Sequence, residues 1–113
     1  MIRAILYGRE GGYTGYRASG HSGYDESGRD IVCAAVSVLG CTCVNSLESL
    51  LGVLVRMREN DDGILDFDLP DLPADRQEGA QLLMGALAQG LRDLQEQYPK
   101  NLRLEIKKRR KSI

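Results

Sequence analysis

A chain of 113 residues is the size of one ordinary domain, because two domains would each lie near the lower limit for a self-sufficient core. Hydrophobic residues at 42% and charged residues at 27% exclude a disordered chain, and charge recurring along the sequence excludes a membrane-spanning one. The net charge of -1 hides a segregation: Glu59 to Glu78 holds eight of the sixteen acids, and Lys100 to Lys111 holds seven of the fifteen bases.

Ile2, Ala4 and Leu6 alternate with Arg3, Ile5 and Tyr7, and Tyr13 to Ser19 continues in the same style after Gly11-Gly12. This predicts two strands joined as a hairpin. Gly20 to Arg29 is glycine-spaced and too polar for a core, so it reads as a mobile surface loop. From Asp30, which stands where an N-cap belongs, an apolar run predicts a helix to about Leu51. Being apolar nearly all round, that helix is expected to bury more than one face, against a sheet and against a second copy of the chain.

Val53, Val55 and Met57 alternate with Leu54, Arg56 and Arg58; Asn60-Asp61-Asp62-Gly63 supplies a turn, and Leu65, Phe67 and Leu69 resume the alternation. That is a second hairpin, ended by Pro70 and Pro73. Ala80, Leu83, Met84, Leu87, Leu91, Leu94 and Tyr98 recur at helical spacing, while Gly79, Gly85 and Gly90 within the run suggest close packing against a neighbour. Leu102, Leu104 and Ile106 complete a last strand. The order ββαββαβ predicts an α+β fold: a two-layer sandwich of about five mostly antiparallel strands with two helices on one face, as one domain over 1–113.

Met1 to Arg9 shows no basic stretch leading into an apolar run and cleavage site, so a cytoplasmic location is expected. Three cysteines fit free thiols in a reducing compartment better than a disulfide framework. Cys41 and Cys43 read as core residues; with one histidine in the chain no zinc site can be assembled from them, and neither metal nor cofactor is implied.

His21 is the only histidine and precedes Cys33 by twelve residues. A thiolate is stabilised by a nearby imidazolium and by the partial positive charge at a helix N-terminus, and Cys33 falls at the third helical position after Asp30. The unpaired N–H groups of that first turn could also receive the oxyanion of an acyl transfer. Spacing alone leaves two readings open, a Cys/His dyad or an inert thiol and a solvated loop imidazole.

The stretch from Gly20-His21-Ser22-Gly23 to Asp30-Ile31-Val32-Cys33-Ala34-Ala35-Val36-Ser37 resembles the signature of the ribosomal-processing cysteine protease family, Prp. Asn45, Leu47 and Glu48 agree further down the same helix, and Ser22 stands where that family more often has Ala. The resemblance implies a cytosolic endopeptidase that removes the N-terminal extension of large-subunit ribosomal protein twenty-seven, in support of ribosome assembly. It makes Cys33 the nucleophile and His21 the general base and acid. Asp30 and Ser37 become supporting residues, and Gly20, Gly23 and Gly28 let the loop move. Asp30 then either orients His21 or only caps the helix; Ser37 faces the loop or bonds back to the preceding turn.

Two further function classes compete. A non-catalytic ribosome-associated or RNA-binding protein would act through Lys107-Lys108-Arg109-Arg110-Lys111, a run that reads equally as a solubilising end. An anion-binding regulator would hold phosphate at the loop and helix N-terminus, but the loop lacks a phosphate-loop lysine. The acidic stretch reads either as a steering field for a basic substrate or as a solvated hairpin and helix start.

Overall fold

The computed structural model describes residues 1–9, 12–20, 30–59 and 63–111. Five strands and two helices follow in the predicted order: β1 (Ile2–Tyr7), β2 (Gly15–Ser19), α1 (Ile31–Leu51), β3 (Arg56–Met57), β4 (Gly63–Asp68), α2 (Ala74–Gln97) and β5 (Leu102–Lys107). They build one sheet in the order β3-β4-β2-β1-β5. The β1/β2, β2/β4 and β3/β4 pairs are antiparallel, while β5 lies parallel to β1, so the sheet is mixed. Direction explains the exception: β4 runs the same way as β1, and α2 carries the chain back across the sheet so that β5 starts in that same direction.

The strand period of two divides the sheet's faces. Register aligns Leu104, Ala4, Ala18 and Leu65 in one row and Leu6, Tyr16 and Phe67 in the next, all on the face that meets the helices. Val32, Val36, Cys43 and Leu47 of α1 and Ala80, Met84, Leu87, Ala88 and Leu91 of α2 complete that core. Side-chain amides tie α2 in place: Gln81 bridges the Tyr13 backbone N–H and C=O at 2.7 and 2.8 Å, and Gln95 accepts the Leu104 N–H at 2.6 Å.

Helix α1 starts and stops where the sequence indicates, with Asp30 as N-cap and Gly52 closing the C-terminus at a φ of +66°. It buries a stripe of Val32, Val36, Gly40, Cys43 and Leu47, and Leu39 and Leu51 beside that stripe pack against α2, while Ile31, Val38 and Leu50 are exposed in the single chain. Cys41 is likewise exposed and is not a core residue, because positions two apart on a helix point about 200° away from each other and Cys43 holds the inward one. Of the α2 glycines, Gly79 and Gly90 do pack closely, since a Cβ there would lie 3.0 Å from Leu51 and 2.7 Å from Leu39 of α1. Gly85 differs, with open space around it.

The face away from the helices carries alternating charge, and the C-terminal residues lie over it. The Arg110 guanidinium bonds to Asp66, to Asp68 at 3.0 Å and to the Phe67 carbonyl at 3.1 Å, and stacks 4.2 Å above the Tyr7 ring. Arg58 adds a 2.5 Å contact to Asp68 and donates to the Lys111 carbonyl. Asp66 is therefore 2% exposed, so this part of the acidic stretch is a covered ion-pair cluster and not a solvated hairpin.

Candidate active site

The first turn of α1 is fixed from both sides of its cap. The Asp30 backbone, at φ -78° and ψ 100°, is extended, and its carbonyl accepts the Ala34 N–H at 3.1 Å. Its side chain turns back so that Oδ1 accepts the Cys33 N–H at 2.9 Å. Val32 and Val36, both buried, pin the turn to the core, which leaves Cys33 half-buried on the flank of the helix. Ser37, one turn further along, is half-buried on the same flank.

The electrostatics of this turn oppose ionisation of the thiol. Partial burial raises the Cys33 pKa above the ordinary thiol value, and the adjacent Asp30 carboxylate raises it further. The positive end of the helix is thus offset at Cys33 by the group that caps it. The cap also engages Cys33's own N–H, one of the first-turn donors that sequence reasoning assigned to an oxyanion.

Just after β2, Gly20 has φ +91°, and a Cβ there would fall 2.6 Å from the Met1 carbonyl oxygen. Only glycine tolerates both the left-handed backbone and that contact, which explains its place immediately before His21. His21, Ser22, Gly23 and Gly28 lie outside the described residues. Of the predicted site residues, the structure brings together Asp30 and Cys33 directly, and Cys33 and Ser37 along one helical flank. Leu47 is a core residue of α1, whereas Asn45 and Glu48 are exposed.

Sequence reasoning did not find the Asp66, Asp68 and Arg110 cluster. The one available signal was the pair of aspartates flanking Phe67 on a strand, since the alternation that buries Phe67 puts both carboxylates together on the opposite face.

A family model described as Cysteine protease Prp matches residues 1–103. The chain is 32% identical over 108 residues to the ribosomal processing cysteine protease Prp of Bacillus subtilis, covering 92% of this chain and 96% of that one. Among solved structures, a Streptococcus mutans protein superposes with a TM-score of 0.78 at 37% identity, covering 96% of each chain. The essential ribosomal processing protease Prp from S. aureus, solved with a covalently linked product peptide, also gives 0.78, at 28% identity over 94% of this chain and 99% of that one.

Proposed function

The chain belongs to the cysteine protease Prp family, and from that premise we propose that it cuts the N-terminal extension from the precursor of large-subunit ribosomal protein twenty-seven, with Cys33 as nucleophile and His21 as its proton acceptor. The observation that carries this reading is the position of Cys33, a half-buried thiol in the capped first turn of α1, in a chain whose relatives are named as ribosomal processing cysteine proteases.

In this scheme His21 takes the thiol proton as Cys33 Sγ attacks the peptide carbonyl. The tetrahedral oxyanion collapses to a thioester as the amine leaves with the proton from His21. Water, deprotonated by His21, then attacks the thioester, releasing the carboxylate product and returning the proton to Sγ. Burial and Asp30 both disfavour the Cys33 thiolate, so in this scheme the imidazole of His21 supplies the base that ionisation requires. The cap engages the Cys33 N–H, so in this scheme an oxyanion donor has to come from elsewhere at the helix start. The S. aureus structure with a covalently linked product peptide supports a reaction path through an enzyme-linked intermediate.

Two copies are proposed to pair through the outward apolar side of α1, around Ile31 and Val38, in the cytoplasm. The decisive experiment incubates the protein, under reducing conditions, with the precursor from its own organism and reads the new N-terminus by mass spectrometry. Wild type should shorten the precursor at one bond and Cys33→Ala should leave it intact. Intact precursor with wild type overturns the substrate assignment, and cleavage by Cys33→Ala overturns the nucleophile.

A further inference from the structure

The helix-free face of the sheet is not electrically neutral, although the whole chain is nearly so. Register places Arg3 beside Arg103, Arg17 beside Ile5, Tyr7 beside Lys107 and Arg56 beside Asp68, all on this face. The acids that the strands place here are Asp66, Asp68 and Glu105, and each is already shared among bases. Asp66 pairs with Arg110 and, at 3.6 Å, with Arg17; Asp68 pairs with Arg110 and Arg58. Glu105 is held by Arg3 at 2.9 Å, Lys107 at 3.7 Å and Arg103 at 3.9 Å. What remains toward solvent is cationic: the Arg103 side chain is 69% exposed and Arg3 53% exposed, with Lys108, Arg109 and Lys111 exposed where the tail crosses. The exposed acids Asp75, Glu78, Asp93 and Glu96 lie on α2, on the other side of the sheet, while Asp71, also exposed, sits at the rim of this face beside Arg56 and Arg109, where the bases outnumber it.

We propose that this face binds RNA through its phosphate backbone. Three features select RNA over a protein partner. The strand bases come from β5, β1, β2 and β3, which with β4 between them span five strands about 4.8 Å apart, a field of roughly 19 Å that matches several successive phosphates and not one carboxylate. Most are guanidiniums, whose forked donors fit phosphate oxygens. Among the described residues the face also lacks the apolar anchor of a protein interface, because Ile5 is buried and Tyr7 lies beneath Arg110. That same covering of Tyr7 withholds a stacking platform, so recognition rests on charge and is indifferent to base sequence. Arg110 has a double part, adding a base and masking two carboxylates that would otherwise repel phosphate. The acidic side of α2 sets the approach, since it is repelled while the sheet is attracted. This surface is separate from the cysteine chemistry and does not depend on the proposed substrate.

The test is fluorescence anisotropy of the full chain with a labelled single-stranded RNA of mixed sequence, between 50 and 200 mM salt. Binding should weaken roughly tenfold or more over that range, with log affinity falling by about 0.7 per phosphate for each decade of salt. Arg103→Glu combined with Lys107→Glu, both exposed and with folding checked by melting temperature, should weaken binding at every salt and flatten the slope by about 1.4. Arg103→Gln with Lys107→Gln, which adds no acid, should fall between it and wild type, and Cys33→Ala should bind as wild type does. The proposal is overturned by no binding at 50 mM salt, or by binding that ignores both double variants. It is also overturned if polyglutamate of equal charge displaces the RNA as well as unlabelled RNA does, since the face would then be a general acceptor of acidic chains.

Discussion

The Asp30 carboxylate accepts the Cys33 N–H at 2.9 Å, so the residue that secures the start of α1 also sets a negative charge beside the thiol at that start. The two effects can be separated, because asparagine caps a helix about as well as aspartate while carrying no charge. In Asp30→Asn the Cys33 thiol, still raised by burial but no longer by the carboxylate, should ionise more readily, and its alkylation by iodoacetamide at pH 7 should quicken measurably. Peptide-resolved mass spectrometry is the appropriate readout, since Cys41 is exposed and reacts as well. An unchanged Cys33 rate would show that the carboxylate does not govern the thiol. If alkylation quickens while precursor cleavage slows, Asp30 also orients the base; if both quicken, it only caps.

Cys43 offers a second titration, in the core. Burial pushes its thiol up to about 11, against about 8.5 for an unfolded thiol. A raised folded-state pKa means that the stabilisation is fully present below pH 8.5 and is lost as pH climbs toward 11. Unfolding by urea should therefore become easier across that window by on the order of 2 kcal/mol. Cys43→Ala should be less stable at pH 7 but should flatten the alkaline decline, and an equally steep decline in that variant would assign it to other groups, such as the buried Tyr16 phenol.

Helix α1 and its cap were legible because the signals are local: an aspartate before an apolar run, and a glycine after it. The five strands and the ββαββαβ order were legible from alternation. The parallel β1/β5 pair was not, because strand direction follows from the path of α2 and no residue in Leu102–Lys107 encodes it. The short β3 was overread for a related reason: Val53 is buried in the core cluster as the chain leaves α1, so its apolar character serves the turn and not a strand. At the site, sequence pattern located Cys33 and Asp30, and a capping carboxylate there is expected to oppose thiolate formation; that it caps the N–H of Cys33 itself depends on where one carboxylate oxygen points, which no local pattern encodes. Ion pairs joining β4 to the C-terminal tail, 42 and 44 residues apart, have no local signature at all.

The α2 glycines give opposed expectations for one substitution. Gly85→Ala meets open space, so only the helix preference for alanine acts, and stability should rise by about 0.5–1 kcal/mol. Gly90→Ala sets a Cβ 2.7 Å from Leu39, whose side chain must shift against α1, and that cost should cancel the gain or exceed it. Denaturant melts of the two variants beside wild type decide the matter: a Gly90→Ala protein as stabilised as Gly85→Ala would mean that the helices do not approach as closely as described.

Arg110 carries the structural consequence of the tail. Its guanidinium is the principal cation over Asp66, a carboxylate 2% exposed, while Arg17 and Arg58 supply weaker or neighbouring partners. Removing one member of a covered pair strands the other, so Arg110→Ala should cost about 2 kcal/mol, less than a fully buried pair because the neighbouring arginines remain. Asp66→Asn should cost less than Arg110→Ala, since the Arg110 guanidinium it leaves behind is still held by Asp68 and the Phe67 carbonyl, and the double variant should be only slightly worse than Arg110→Ala alone. A coupling of about 1 kcal/mol or more in this cycle is the expected result. Exposed pairs typically give less than that, so strict additivity of the two single variants would show that the tail rests on the sheet without fastening it.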